Sequence, residues 1–175
     1  MTTSKVPERR QRRSITATGP VVVGGHYQLT REIGTGGTAE VWVAQHTLGR
    51  FPCAVKMMHM TRNAFKLCRE EFRILSQVYH PNIVRTFDMG FIDDTDQAYL
   101  SMEYVSGKPW DKLQTQTVPA IDAVRWLRQM VSVLSYLHDP QIHIIHKDIK
   151  PANIVVEHER AVLIDFNISS ATDPE

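Results

Sequence analysis

The sequence predicts an α+β fold, with a mostly antiparallel sheet and one helix in its first part and a helical second part. Three observations point there. The segments YQLTREI, EVWVAQHT and FPCAVKMM are short and rich in β-branched or aromatic residues, with only GTGGTA and LGR between them, as successive hairpins require. Two longer segments repeat apolar residues three and four apart, the period of a helix with one buried face. Strands come first and the stronger helix later, so a regular βαβ alternation is excluded.

Each element follows in chain order. Residues 1–25 hold Lys5, Arg9, Arg10, Arg12 and Arg13 without interleaved aromatics or a hydrophobic period, so they read as a solvated basic arm, not a nucleic-acid patch. Ser14 reads as a plain serine of that arm rather than a phosphorylation site. The folded part is expected to begin near His26, with the three strands just quoted. From Arg62 to Tyr79, Phe65, Cys68, Phe72, Leu75 and Val78 predict a helix that HPN then stops. IVRTFDMGFI and QAYLSMEYV return to strand character. A second helix lies between Pro119 and Pro140, with Ile121, Val124, Leu127, Met130, Leu134 and Leu137 as its expected stripe.

Composition narrows the class. With 175 residues, 42% apolar and 22% charged, the chain suits one globular domain with a tail, and collagen-like, coiled-coil and mostly disordered classes are excluded. A net charge of +1 gives no general attraction to nucleic acid. PVVVGG is too short for the apolar core of a signal peptide and no segment is long enough to span a bilayer, so a cytoplasmic protein with no membrane partner is expected. Cys53 and Cys68 lack CxxC spacing and read as reduced core thiols. His143 and His146 have HxxH spacing, but no Cys, Glu or third His completes a plausible ligand set, so a metal site is not expected, and Trp42, Trp110 and Trp126 read as core or interface aromatics.

Four segments carry chemistry. Gly34, Thr35, Gly36 and Gly37 in GTGGTAEV let backbone N–H groups approach an anion, although an ordinary glycine-rich hairpin turn has the same composition. No helix follows them and GK[ST] is missing, which excludes dinucleotide and Walker loops. Lys56 sits inside the apolar strand CAVKMM, either on an exposed edge or held by a carboxylate and a ligand phosphate. Of the carboxylates on the following helix, Glu71 adjoins the apolar stripe while Glu70 turns further away, so Glu71 is the better partner. Finally HKDIKPANIVVEHERAVLIDFN gathers Asp148, Lys150, Asn153 and Asp165, groups costly to bury without partners, so they either sit in a solvated loop or bind something charged.

Together these segments resemble the protein kinases, from about Tyr27 to the end of the chain. GTGGTAEV is similar to the glycine-rich loop, CAVK to the third-strand lysine motif, HKDIKPAN to the catalytic loop and DFN to the metal-binding motif. HPNIV and SMEYVSG resemble the helix-to-strand junction and the hinge between lobes. Beyond the basic arm over 1–25, the resemblance implies a kinase N-lobe and hinge over 26–105 and part of a helical C-lobe over 106–175. It implies ATP and Mg2+ as cofactors and a protein substrate with a Ser or Thr hydroxyl, the Lys in DIKPAN being of serine/threonine type. Asp148 would orient and deprotonate that hydroxyl, Lys150 would offset charge on the phosphoryl, and Asn153 and Asp165 would hold magnesium. Lys56, fixed by Glu71, would grip the α- and β-phosphates. Val41, Ala54 and Val155 would enclose the adenine, with Met102 behind it and the hinge from Glu103 to Val105 bonding the base. His146 and Phe166 would pack between the lobes.

Departures from the family pattern matter too. Lys147 replaces the Arg before the catalytic Asp and loses the fork that clamps an activation-loop phosphate. Asn167 replaces the Gly of DFG but tolerates left-handed backbone, and Ala39 replaces a third loop glycine. The chain stops at Glu175, before an activation segment, so the expected C-lobe is incomplete and its helix keeps an uncovered apolar face, which predicts aggregation, a covering partner or an incomplete gene product. An ATP-binding pseudokinase or remnant acting as a binding module is the alternative reading. HPNIV and DIKPAN argue against an aminoglycoside-phosphotransferase type of enzyme.

Overall fold

The computed structural model describes residues 20–36, 39–59, 62–92, 95, 97–113 and 118–166, with the backbone alone at 59 and 62–68. Strands β1 (Val22–Val23), β2 (Tyr27–Thr35), β3 (Ala39–His46) and β4 (Pro52–His59) lead to helix α1 (Arg62–Leu75), then to β5 (Thr86–Ile92) and β6 (Gln97–Glu103). They form one six-stranded sheet in the order β1-β2-β3-β4-β6-β5, all of its pairings antiparallel. A short strand β7 (Lys108–Pro109), helix α2 (Ala120–Leu137), and the hairpin β8 (Ile154–Glu157) and β9 (Arg160–Leu163) build the second part.

Period-two alternation along β4 sorts its side chains onto two faces. Cys53, Val55 and Met57 join Tyr27, Leu29 and Tyr99 in an outer cluster. Ala54 and Met58 turn the other way, toward Leu100, Met102, Val155 and Val162. Lys56 shares the parity of Ala54 and Met58, and register decides what alternation alone left open. It is paired with Val41 on one side and Leu100 on the other, in the middle of the sheet rather than at an edge. Cys53 is fully buried and burial pushes its thiol up to about 11, which keeps it protonated and unreactive at neutral pH.

Three expectations need correction. The folded part begins before His26: Val22 and Val23 pair with Gln28 and Tyr27, and Val23 is buried among the outer cluster because its apolar side chain closes that edge. Helix α1 ends at Leu75 rather than running to Tyr79, because the amides of Gln77 and Val78 turn back to carbonyls only three residues earlier. The buried stripe of α2 is Trp126, Met130, Val133 and Leu137. Ile121, Val124 and Leu127 are exposed, and Leu134 is only half-buried. The helix is apolar on two adjacent faces, so spacing allows either stripe, and the fit of Trp126 against Trp110 at 5.6 Å and of Val133 into the β8–β9 core selects one.

The two sheets are joined tightly after β6. A Cβ on Gly107 would overlap the carbonyl oxygen and carbon of Val156, both backbone atoms. Backbone cannot swing aside as a side-chain tip can, so Gly107→Ala is expected to destabilise the chain by about 1–3 kcal/mol. Urea unfolding checks this against Gly34→Ala, whose new methyl has its nearest neighbour 3.9 Å away and stays within about 1 kcal/mol of the parent. Equal midpoints for both variants would mean that the hinge and β8 separate at little cost.

Candidate functional site

Lys56 projects from the centre of the sheet toward α1, and the helix meets it with a single carboxylate. Its Nζ lies 3.2 Å from both Glu71 carboxylate oxygens and 2.8 Å from Asp165 Oδ1. Glu70, one residue earlier, is half-buried away from Lys56 and pairs with Arg73 instead. A shift of one residue turns a helical side chain by about 100°, which separates the two glutamates. Glu71 is buried, so desolvation pushes its carboxyl up; Lys56 opposes this while Asp165 adds to it, and the net direction is up. Burial alone would push the Lys56 ammonium down, but the two carboxylates outweigh it and the net direction is again up. One cation between two acids leaves this end of the site short of positive charge.

A cavity of about 220 Å³ opens beside that cluster. Val41 and Ala54 come from the sheet, Val155 from β8, and Met102, Glu103 and Val105 from the strand and hinge that join the two parts. Ile33, Val84 and Ile164 also line it, and the sequence reading missed them. Each directly adjoins a motif that was read: Ile33 precedes Gly34, Val84 ends HPNIV, and Ile164 precedes Asp165. Two larger hollows, about 490 and 380 Å³, lie along α2 and contain neither Lys56 nor Asp165. The smaller cavity has the apolar walls and few polar groups that a planar ligand needs.

Gly34 and Gly36 have ordinary backbone angles, and among the described residues a Cβ on either would meet nothing closer than 3.7 Å. The packing of the described residues does not require glycine there. The Gly36 amide donates to the Ala39 carbonyl at 2.8 Å and draws the two ends of the loop together. Gly37 lies outside the described residues, as do Asn167 and Ser14.

The second acidic centre is built by the segment after α2. Asp148 Oδ2 accepts from Lys150 Nζ at 2.7 Å and from Asn153 Nδ2 at 3.0 Å. Asn153 Nδ2 also donates to the Asp148 carbonyl at 2.9 Å, so both of its N–H bonds are engaged and Oδ1 is the atom left for a donor or a cation. The Asn153 carbonyl accepts from the Ile164 amide at 2.9 Å, which ties this loop to the strand leading into Asp165. His146 is buried, accepts from the Asp148 amide at 3.3 Å and packs on Phe166 with ring centroids 4.5 Å apart. Burial pushes its imidazole down, against the Asp165 carbonyl and the neighbouring carboxylates, and so favours the neutral ring that this hydrogen bond requires. Lys147 is exposed and stands at φ 63°, a left-handed conformation that strains a residue with a side chain.

Hard oxygen donors are what magnesium selects, and it needs few of them from protein when a ligand supplies phosphates. The Asp165 carboxylate and Asn153 Oδ1 fit that requirement. Among the described residues there is no group of three His, Cys, Asp or Glu side chains able to hold a metal by themselves.

Comparison with known proteins gives a consistent result. A family model described as "Protein kinase domain" matches residues 27–175. The serine/threonine-protein kinase pkn2 of Myxococcus xanthus is 34% identical over 165 residues, which cover 89% of this chain and 19% of that protein. PrkC of Bacillus subtilis (strain 168) is also 34% identical, over 156 residues covering 85% of this chain and 24% of the relative. The chain thus spans no more than about a quarter of either relative. Among solved structures, the Mycobacterium tuberculosis PknI kinase domain superposes with a TM-score of 0.71 at 25% identity, covering 88% of this chain and 63% of that one.

Proposed function

Because the chain belongs to the protein kinase domain family, we propose that it binds ATP with magnesium and transfers the γ-phosphate to a serine or threonine hydroxyl of a protein. The observation that carries this reading is the bridging of Lys56 to Glu71 and Asp165 at the end of an apolar cavity. Val41, Ala54, Val155 and Met102 would hold the adenine by apolar contact, and backbone groups from Glu103 to Val105 would hydrogen-bond it. The glycine-rich loop with Gly34, Thr35, Gly36 and Gly37 would offer backbone amides to the phosphates. Lys56 binds the α- and β-phosphates, and Glu71 keeps it extended toward them. Asp148 aligns the substrate hydroxyl and takes its proton, while Lys150 offsets the charge that builds on the phosphoryl oxygens. Asn153 and Asp165 would hold magnesium, which when bound supplies charge to neutralise the phosphates.

The same reading includes a partner surface and a location. Ile121, Val124, Leu127 and Val131 form an exposed apolar stripe on α2, which supports a covering partner for the helical part. A cytoplasmic location is supported by the buried free thiol of Cys53. No helix among the described residues is long and apolar enough to cross a membrane.

The test is transfer of labelled phosphate from ATP to a generic protein substrate, using the monodisperse chain with and without magnesium. Phosphoserine and phosphothreonine, absent when EDTA is added, are the expected products. Failure of a folded chain to transfer phosphate under these conditions would overturn the proposal for this chain.

A further inference from the structure

We infer that Arg160 is a positioning residue for the purine end of the cavity, acting through the side chain of Glu103; this rests on reading the cavity as an adenine pocket. Arg160 is the first residue of β9, and Ile164 and Asp165 follow the other end of that strand. Its guanidinium bonds two segments of the other sheet's half of the molecule. Nη1 donates to Glu103 Oε1 at 2.6 Å, while Nε and Nη2 both donate to the Pro81 carbonyl, at 3.0 and 2.9 Å. Glu103 ends β6 and lines the cavity, and its own amide donates to the Arg85 carbonyl at 2.8 Å.

The turn after α1 is stitched to the same strand by backbone. Leu163 donates to the Asn82 carbonyl and Val84 to the Leu163 carbonyl, both at 2.9 Å. Arg160 therefore adds the hinge to a frame that already joins α1, β5 and β9. Without it, Glu103 keeps its backbone bond to Arg85, but its carboxylate loses the guanidinium paired with it. The hinge then gains freedom at the residue from which its cavity-facing backbone runs on to Tyr104 and Val105.

A planar guanidinium is needed for this geometry. It presents parallel donors to one carbonyl while a third N–H reaches the carboxylate. Lysine keeps the charge opposite Glu103 but cannot also donate twice to Pro81 in that plane. The inference thus differs in kind from a general stabilising contact, because its effect falls on the base and not on the phosphates.

Calorimetric titration of the full chain with adenosine and with ATP-magnesium separates these possibilities. Arg160→Ala and Glu103→Gln are each expected to weaken both ligands by a common factor of about tenfold, with Arg160→Lys in between. A folded Arg160→Ala chain with unchanged adenosine affinity, or one that loses affinity for ATP-magnesium alone, overturns the inference. If circular dichroism shows Arg160→Ala unfolded, Glu103→Gln decides, since it leaves both bonds to Pro81 in place. A wild-type chain that binds neither ligand overturns the proposed function and this inference together; a wild-type chain that binds both, alongside variants indistinguishable from it, overturns only the inference.

Discussion

Asp148→Asn is expected to lower the rate of phosphate transfer by about a thousandfold while leaving ATP-magnesium affinity within about threefold of the parent. The substitution keeps size and shape and removes the base. In the structure Asp148 Oδ2 receives Lys150 Nζ and Asn153 Nδ2, two donors that an amide oxygen can still satisfy in part. An amide nitrogen in that place would face two donors, so the Asn side chain must settle with its oxygen inward. Its other end then presents N–H₂, which can donate to a substrate hydroxyl but cannot take its proton. Adenine and phosphate contacts lie on other residues, hence the split between rate and affinity. Steady-state kinetics beside calorimetry reads both quantities. A transfer rate within tenfold of the parent would remove Asp148 from proton transfer and reduce it to an anchor for Lys150 and Asn153.

Lys56→Met is expected to weaken ATP-magnesium by about 10- to 100-fold, the loss of one charge-assisted contact to phosphate, and also to destabilise the free chain. The second effect follows from what Lys56 holds apart. Glu71 is buried, and without the ammonium it faces Asp165 with no intervening cation. Leaving a buried charge unpaired costs about 3–5 kcal/mol, or a fall in melting temperature of about 10 °C for a chain of this size. Glu71 escapes part of that cost by protonating. Its carboxyl is already raised in the parent and rises further in the variant. A folded-state pKa above the unfolded one means that the folded chain binds the extra proton. The variant is therefore relatively more stable at acid pH, below the unfolded carboxylate range, and loses that advantage as pH rises through the raised value. Thermal melts from pH 5 to 8 check the sign. A variant whose deficit against the parent does not grow with pH would show that Glu71 is not the group left uncompensated.

Much of the fold was legible because strand and helix periods differ and glycine-rich turns separate the strands. The strands from β2 to β6, the existence of both helices and the resemblance to kinases from about Tyr27 came from pattern and motif, whereas the small sheet β7-β8-β9 of the second part was not read. What failed was of one kind. Val22 and Val23 form too short a segment to show a period, so the edge strand was assigned to the arm. On α2 the apolar residues cover more than one face, and hydrophobicity alone cannot say which face meets the β8–β9 hairpin.

The site divides along the same line. Motif order singled out Lys56, Glu71, Asp148, Lys150, Asn153 and Asp165, because charged groups amid apolar runs are costly unless they meet one another or a ligand. Which of them meet was a matter of tertiary structure. Lys56 and Asp165 are 109 residues apart and lie 2.8 Å from each other only because β4 and the end of β9 close on the same cavity. The same holds for Arg160, whose pairing with Glu103 across 57 residues had no trace in local pattern. The sequence by itself determined the residue types, the local periods and the family; the closing of the two sheets decided partners and distances. The physical reason is range: propensity and spacing act within a few residues, whereas packing and charge pairing act between whatever surfaces the fold brings together.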